Sequence, residues 1–160
     1  MYEALIPPLA TAARIASVRL AAPHITAISD GIEQLARIPG RPDWEYKAAR
    51  HAAILGLLAD SVDDAAAAGV LRLGRAVARD LAVRAGPVAD GMITSSHRRL
   101  LDHLRDADPD GAEHEMASLL MSLQSYWIAA KANPEASPEA SPETSPETNS
   151  KANSTLVRAE

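Results

Sequence analysis

Three stretches of this 160-residue chain place mostly apolar side chains at i, i+3 or i+4, and i+7. They are Lys47, His51, Ile54, Leu55 and Leu58; then Ile93, His97, Leu100, Leu101 and Leu104; then Met116, Leu119, Leu120, Leu123 and Trp127. That spacing is one face of an α-helix, and strand-period alternation is not evident anywhere. Each striped helix must bury its stripe against neighbours, which predicts an all-α, antiparallel bundle of about six helices.

The breaks between helices carry recognisable stop and start residues. A first helix is expected over residues 3–22, with Pro7 and Pro8 near its opening turn and Pro23 ending it. A second follows over 25–38. The loop PGRPD then offers Asp43 as a cap for a third helix ending near residue 59. A fourth runs from about 63 to the Gly86-Pro87 stop, and a fifth spans about 88–106. Asp108 as N-cap and Pro109 at the first helical position open a sixth, reaching about 131. The prediction is one helical domain over 1–131.

Residues 132–160 read differently. A four-residue SPE(A/T) unit repeats there, with prolines at 134, 138, 142 and 146. Proline at that spacing forbids a helix, and the segment holds too little apolar surface to offset its ordering entropy. It is expected to be a disordered tail, read either as a plain extension or as a solubilising or partner-binding linker.

Charge and composition exclude several classes. Net charge is −5; the tail holds five Glu against Lys151 and Arg158, so the body is nearly neutral, with 14 basic and 16 acidic residues. That is not the electrostatic footprint of a nucleic-acid binder. Cysteine is absent, which removes disulfides and thiolate zinc sites and makes the cytoplasm the expected compartment. No apolar run approaches the ~20 residues needed to span a bilayer, so no membrane partner is expected. No nucleophile–base pair, paired carboxylates on one face or phosphate loop is visible, so the chain is not expected to be an enzyme.

Two of the five histidines, His51 and His97, lie on apolar stripes of different helices, and Lys47 precedes His51 by one turn on the same face. His24 lies at a helix start, while His103 and His114 fall off the stripes and are expected in solvent. On the fourth helix, Arg72, Arg75 and Arg79 share a face opposite Val70, Leu73, Val77 and Leu81. They are read as a solvated face, with an anion site or a subunit contact as the alternatives.

The run HRRLLDHLRDADPDGAEHEMASLLMSL, residues 97–123, resembles the closing helix pair of the FCD (FadR C-terminal) domain. That domain is the effector-binding and dimerisation half of the FadR subfamily of GntR-type bacterial transcription regulators. The resemblance rests on His97, Leu100-Leu101, Leu104, Ala107-Asp108, Ala112, Met116 and Leu119-Leu120, spaced without a gap. Upstream, KAARHAAILGLLAD looks like the family's Asp-x-x-Phe-His segment, and ARIASVRLAA like its first helix. About residues 2–130 are covered.

The resemblance implies a site inside the bundle, and the chain departs from it there. Many family members bind a divalent metal through one Asp and three His; by position these are Lys47, His51, His97 and Leu119. The family's Phe is Arg50, its Asn is Asp60, and an Arg usual in the first helix aligns with Leu5. Two imidazoles beside an ammonium are a poor donor set for zinc, nickel or manganese, so no cofactor is expected; any metal would rest on His51 and His97 alone.

Lys47 in the carboxylate's place suggests instead a small anionic effector, held by Lys47, His51 and His97 with Arg50 and Leu119 about it. The apolar Leu119 favours an acyl or aromatic acid. The other reading is a degenerate pocket, with both histidines satisfied in the core and Lys47 reaching out to water. The resemblance also implies a homodimer. The winged helix-turn-helix that precedes this domain in such regulators cannot be placed, so this chain is not expected to bind DNA alone. Two functions follow: an effector-sensing and dimerisation domain of a GntR/FadR-type regulator, or a ligand-free dimerisation or partner-binding scaffold that pairs with full-length regulators.

Overall fold

A computed structural model describes residues 2–132, and the predicted tail lies outside the described residues. The protein is an all-α bundle. Its helices are α1 (Ile6–Ser17), α2 (Ala22–Arg37), α3 (Trp44–Asp60), α4 (Ala65–Ala85), α5 (Asp90–Arg105) and α6 (Pro109–Ala132). One-turn 3-10 segments, Glu3–Leu5 and Pro87–Ala89, lead into α1 and α5.

Local chemistry accounts for several boundaries. Asp64 caps α4, its carboxylate accepting from the amides of Ala66 and Ala67 at 3.0 and 2.9 Å. Asp108 does the same for α6 through the Gly111 amide at 3.0 Å, with Pro109 at the first helical position. Gly86 ends α4 at φ 78°, a conformation that side chains with a Cβ resist. Asp43 stands at the N-cap of α3, but its side chain makes no capping bond.

The first helix differs from expectation. It stops at Ser17, and Pro23 lies in the first turn of α2 rather than at the end of α1. Proline has no amide hydrogen to donate, and a helix's first turn leaves that group unused, so Pro23 suits the start of a helix better than a stop. The Ser17 hydroxyl bonds back to the Arg14 carbonyl at 2.8 Å, and the Arg19 amide closes on Ala16, which turns the chain away.

Short connections at 61–64 and 106–108 fold α3 back on α4 and α5 back on α6. The antiparallel pairing brings the start of α3 and the start of α5 to the same end as the last turns of α4 and α6. A core cluster marks that end: Trp44, Ala48, Val77, Leu81, Ala85, Ala89, Ile93, Leu119 and Leu123. A larger cluster fills the other end and takes in α1 and α2, with Leu9, Ile28, Leu35, Leu55, Leu71, Leu104, Met116 and Leu120.

The stripes of α3 and α5 are buried throughout, as is that of α6 down to Leu123; Trp127 is half-buried, with the Arg84 guanidinium 5.6 Å above its ring. The fourth helix meets its expected setting in part: Val77 and Leu81 are buried, but Leu73 is 53% exposed and Val70 is half-buried. The inward face also takes Ala67, Ala68, Leu71, Gly74, Ala78, Ala82 and Ala85. Gly74 makes the closest approach on this face. A Cβ there would collide with Leu9, so the glycine is what lets α1 lie close on α4.

Candidate functional site

Where α3 and α5 begin, four polar side chains enter the core together. Lys47 and His51 come from successive turns of α3, while Asp90 and His97 lie two turns apart on α5. Lys47, His51 and His97 are 5%, 2% and 2% exposed. The Lys47 Nζ donates to Asp90 Oδ2 at 2.7 Å and to the Ile38 carbonyl at 2.8 Å. His51 Nε2 lies 3.0 Å from Asp90 Oδ1, so both oxygens of one carboxylate are engaged. The His51 and His97 rings lie 5.5 Å apart, inclined by 31°, and Trp44 stands 6.1 Å from His51. The Trp44 indole is itself fixed by donating to the Ala82 carbonyl at 3.1 Å.

The electrostatics follow from burial. Loss of water lowers the pKa of His51, against the opposing pull of Asp90, and pushes that of His97 down to about 3. Both rings are therefore neutral at pH 7. Burial opposes the charge of Asp90, but the bonds from Lys47 and His51 outweigh it and hold the carboxyl below its usual range. A neutral His51 that faces a carboxylate with Nε2 must carry its proton there, which leaves a lone pair on Nδ1. Among the described residues that Nδ1 has no hydrogen-bond partner, and neither ring nitrogen of His97 has a well-formed one, although the nearby His51 backbone works against burial in setting the His97 pKa. The cluster thus presents one donor and two acceptors inside the core with no well-formed partner among the described residues. A molecule that fits must itself both donate and accept.

The sequence-predicted residues divide. Lys47, His51 and His97 converge, and Leu119 is buried in the same end of the bundle, in the cluster with Trp44 and Ile93. Arg50 points elsewhere, donating to Gln34 of α2 at 2.9 Å. It lines a separate surface cleft of about 330 Å³ between α2, α3 and α4, across which Arg75 lies over Gly56. Lys47 does not reach out to water, because Asp90 receives its ammonium inside. Sequence reading missed Asp90. It stands seven residues before His97 on the same stripe, but a carboxylate at the head of a helix also reads as an ordinary dipole partner.

The donor set does not suit a metal. The one carboxylate is already bonded to an ammonium and an imidazole, and among the described residues no three His, Cys, Asp or Glu side chains group so as to hold an ion. A second, open cleft of about 830 Å³ lies against this end of the bundle. Trp44, Tyr46, Arg84, Gly86 and Pro87 are among its walls. Trp44 therefore separates that cleft from His51. Among the described residues no helix is long and apolar enough to cross a membrane.

A more deeply buried carboxylate sits on the far side of α5. Glu115 of α6 accepts from Arg99 Nε and Nη2, both at 2.9 Å, and from the Ser96 hydroxyl. Burial opposes its charge, yet these bonds hold its pKa down. Of the remaining histidines, His24 and His114 are exposed, and His103 is half-buried with Nδ1 2.9 Å from Asp108.

No family model, curated protein or solved structure matches this chain.

Proposed function

We propose that this chain is the effector-sensing and dimerisation domain of a GntR/FadR-type transcriptional regulator, binding a small organic or acyl acid within its helical bundle. The observation that carries the reading is the set of three buried imidazole nitrogens without well-formed partners among the described residues, beside a buried ammonium, on two helices whose residues carry the FCD resemblance. Native cores bond their buried polar groups, and leaving three unmet in one place costs stability that a bound molecule would restore. In this reading the acid's carboxylate faces Lys47 and His51, and its other polar atoms meet His97. Because the ligand bridges α3 and α5, it favours whichever arrangement of those helices fits it, and the change passes to a second subunit as a shift in population. DNA contact belongs to attached winged-helix domains, and no metal takes part.

A second reading has its own support. Lys47 and Asp90 neutralise one another, so the cluster also suits a scaffold that pairs with full-length regulators and senses nothing. Thermal shift of the full chain against a panel of organic acids and acyl-CoAs separates the two, because a ligand of the folded state raises Tm by mass action. The sensor reading expects a saturable rise with at least one acid, lost in His97→Leu. A flat response across both sets would leave only the scaffold.

A further inference from the structure

Resting on that reading, we propose that Asp90 is the chain's own occupant of the ligand-carboxylate position, and that an acid binds by displacing it. A carboxylate recognised by Lys47 and His51 needs one oxygen near Nζ and the other near Nε2. Asp90 supplies that pairing at 2.7 and 3.0 Å. No free acid can make the same two contacts while Asp90 holds them.

Asp90 is also placed to leave. Its side chain is 24% exposed, against 6% for Lys47 and 2% for His51, so of the three it is the one solvent reaches. It is the first residue of α5, joined to α4 only by Gly86 and the single 3-10 turn Pro87–Ala89. A swing of this residue needs no break inside a long helix. The chain at Gly40 approaches the same carboxylate; a Cβ added there would stand 3.2 Å from Oδ2. The cleft walled by Trp44, Gly86 and Pro87 lies beside the turn that leads into α5, with Trp44 between it and His51. Displacement thereby ties occupancy of the pocket to the position of the α5 N-terminus. It also sets the affinity, since every acid competes with a carboxylate fixed beside the site.

The test uses formate and acetate as probes on the full chain, with chloride at equal ionic strength as the control. Asp90→Ala removes the internal carboxylate and leaves its two partners facing a gap. The expected result is a variant with lowered Tm that recovers saturably in formate or acetate but not chloride, and binds formate at least tenfold more tightly than wild type does in calorimetry. Equal effects of formate and chloride on Asp90→Ala would overturn the proposal, as would equal formate affinity in variant and wild type. In a Lys47→Met/Asp90→Leu double variant the formate response should vanish; its persistence would place the probe elsewhere and also overturn it. Should Asp90→Ala be too unstable to purify folded, refolding from urea asks the same question: helix recovered in formate alone supports displacement, and failure in both salts contradicts it. If wild type responds to acids in the thermal-shift screen while Asp90→Ala ignores formate, displacement fails and the sensor reading stands.

Discussion

Helix α5 carries a carboxylate contact on each of two sides, and the two are finished differently. On one side Glu115 meets Arg99 twice and Ser96 once, and Arg99 lets its charge fade into solvent at 55% exposure. On the other, Asp90 meets Lys47 and His51, yet three ring nitrogens immediately behind it have no well-formed partner among the described residues. The first arrangement is a closed structural clasp between α5 and α6. The second leaves polar groups unmet in the core, a cost that packing alone does not explain. The contrast separates a polar cluster that holds the fold from one that waits for a partner.

The largest effect should come from Asp90→Ala in plain buffer. It strands a nearly inaccessible ammonium with only the Ile38 carbonyl, and a loss of about 3 kcal/mol is expected by urea denaturation. Arg99→Ala should cost less, about 2 kcal/mol, because Ser96 still serves Glu115 and the arginine is half in water. A loss from Arg99→Ala larger than that from Asp90→Ala would reverse the ranking of the two sides.

The pH dependence sharpens the comparison. His97 is held down to about 3 in the folded chain, whereas the unfolded imidazole titrates near its ordinary value of about 6.5. Between those values only the unfolded chain takes up that proton. Stability is therefore complete above about pH 6.5 and falls as pH drops, with a slope approaching about 1.4 kcal/mol per pH unit for this one group. His51 is shifted in the same direction and steepens the fall. Asp90 and Glu115, whose pKa values are depressed, add their losses at lower pH as their carboxylates take up protons. Denaturation curves at pH 7, 6, 5 and 4 measure the slope, and His97→Leu should flatten it.

The smallest change is the most telling in sign. His97→Leu replaces a buried ring with two unmet nitrogens by an apolar group, so it should leave stability unchanged or raise it by about 1 kcal/mol. A destabilisation of more than about 2 kcal/mol would show that the ring is satisfied in solution and belongs with the clasp. A gain accompanied by loss of ligand response would follow the usual exchange of function for stability at binding sites.

Much of this was legible from spacing alone. The stripes of α3, α5 and α6 carried enough large apolar residues to fix which way Lys47, His51 and His97 point, and the site's place on two inner faces followed. The pairing across helices was not legible. Whether Lys47 meets water, a ligand or Asp90 depends on how α3 crosses the start of α5, and no residue spacing encodes that crossing. Arg50, one residue before His51, turns about 100° away around the helix and meets α2 instead. The face of α4 was legible only in part, at Val77 and Leu81, for a related reason. Its alanines and glycines are small enough to face either way, and the fit of Gly74 against Leu9 is a contact between helices that spacing does not encode. The break after Ser17 was hidden because the proline that marks it serves the following helix.

The central claim is that the imidazole pair is a binding site, and ¹⁵N NMR of the histidine side chains in the full chain tests it most directly. The acid giving the largest thermal shift would be titrated while the ring nitrogens of His51 and His97 are followed. The account predicts that both rings move saturably with the acid, at the concentration that raises Tm, while His24 and His114 stay in place. Rings of His51 and His97 that stay fixed through a saturating titration would contradict it.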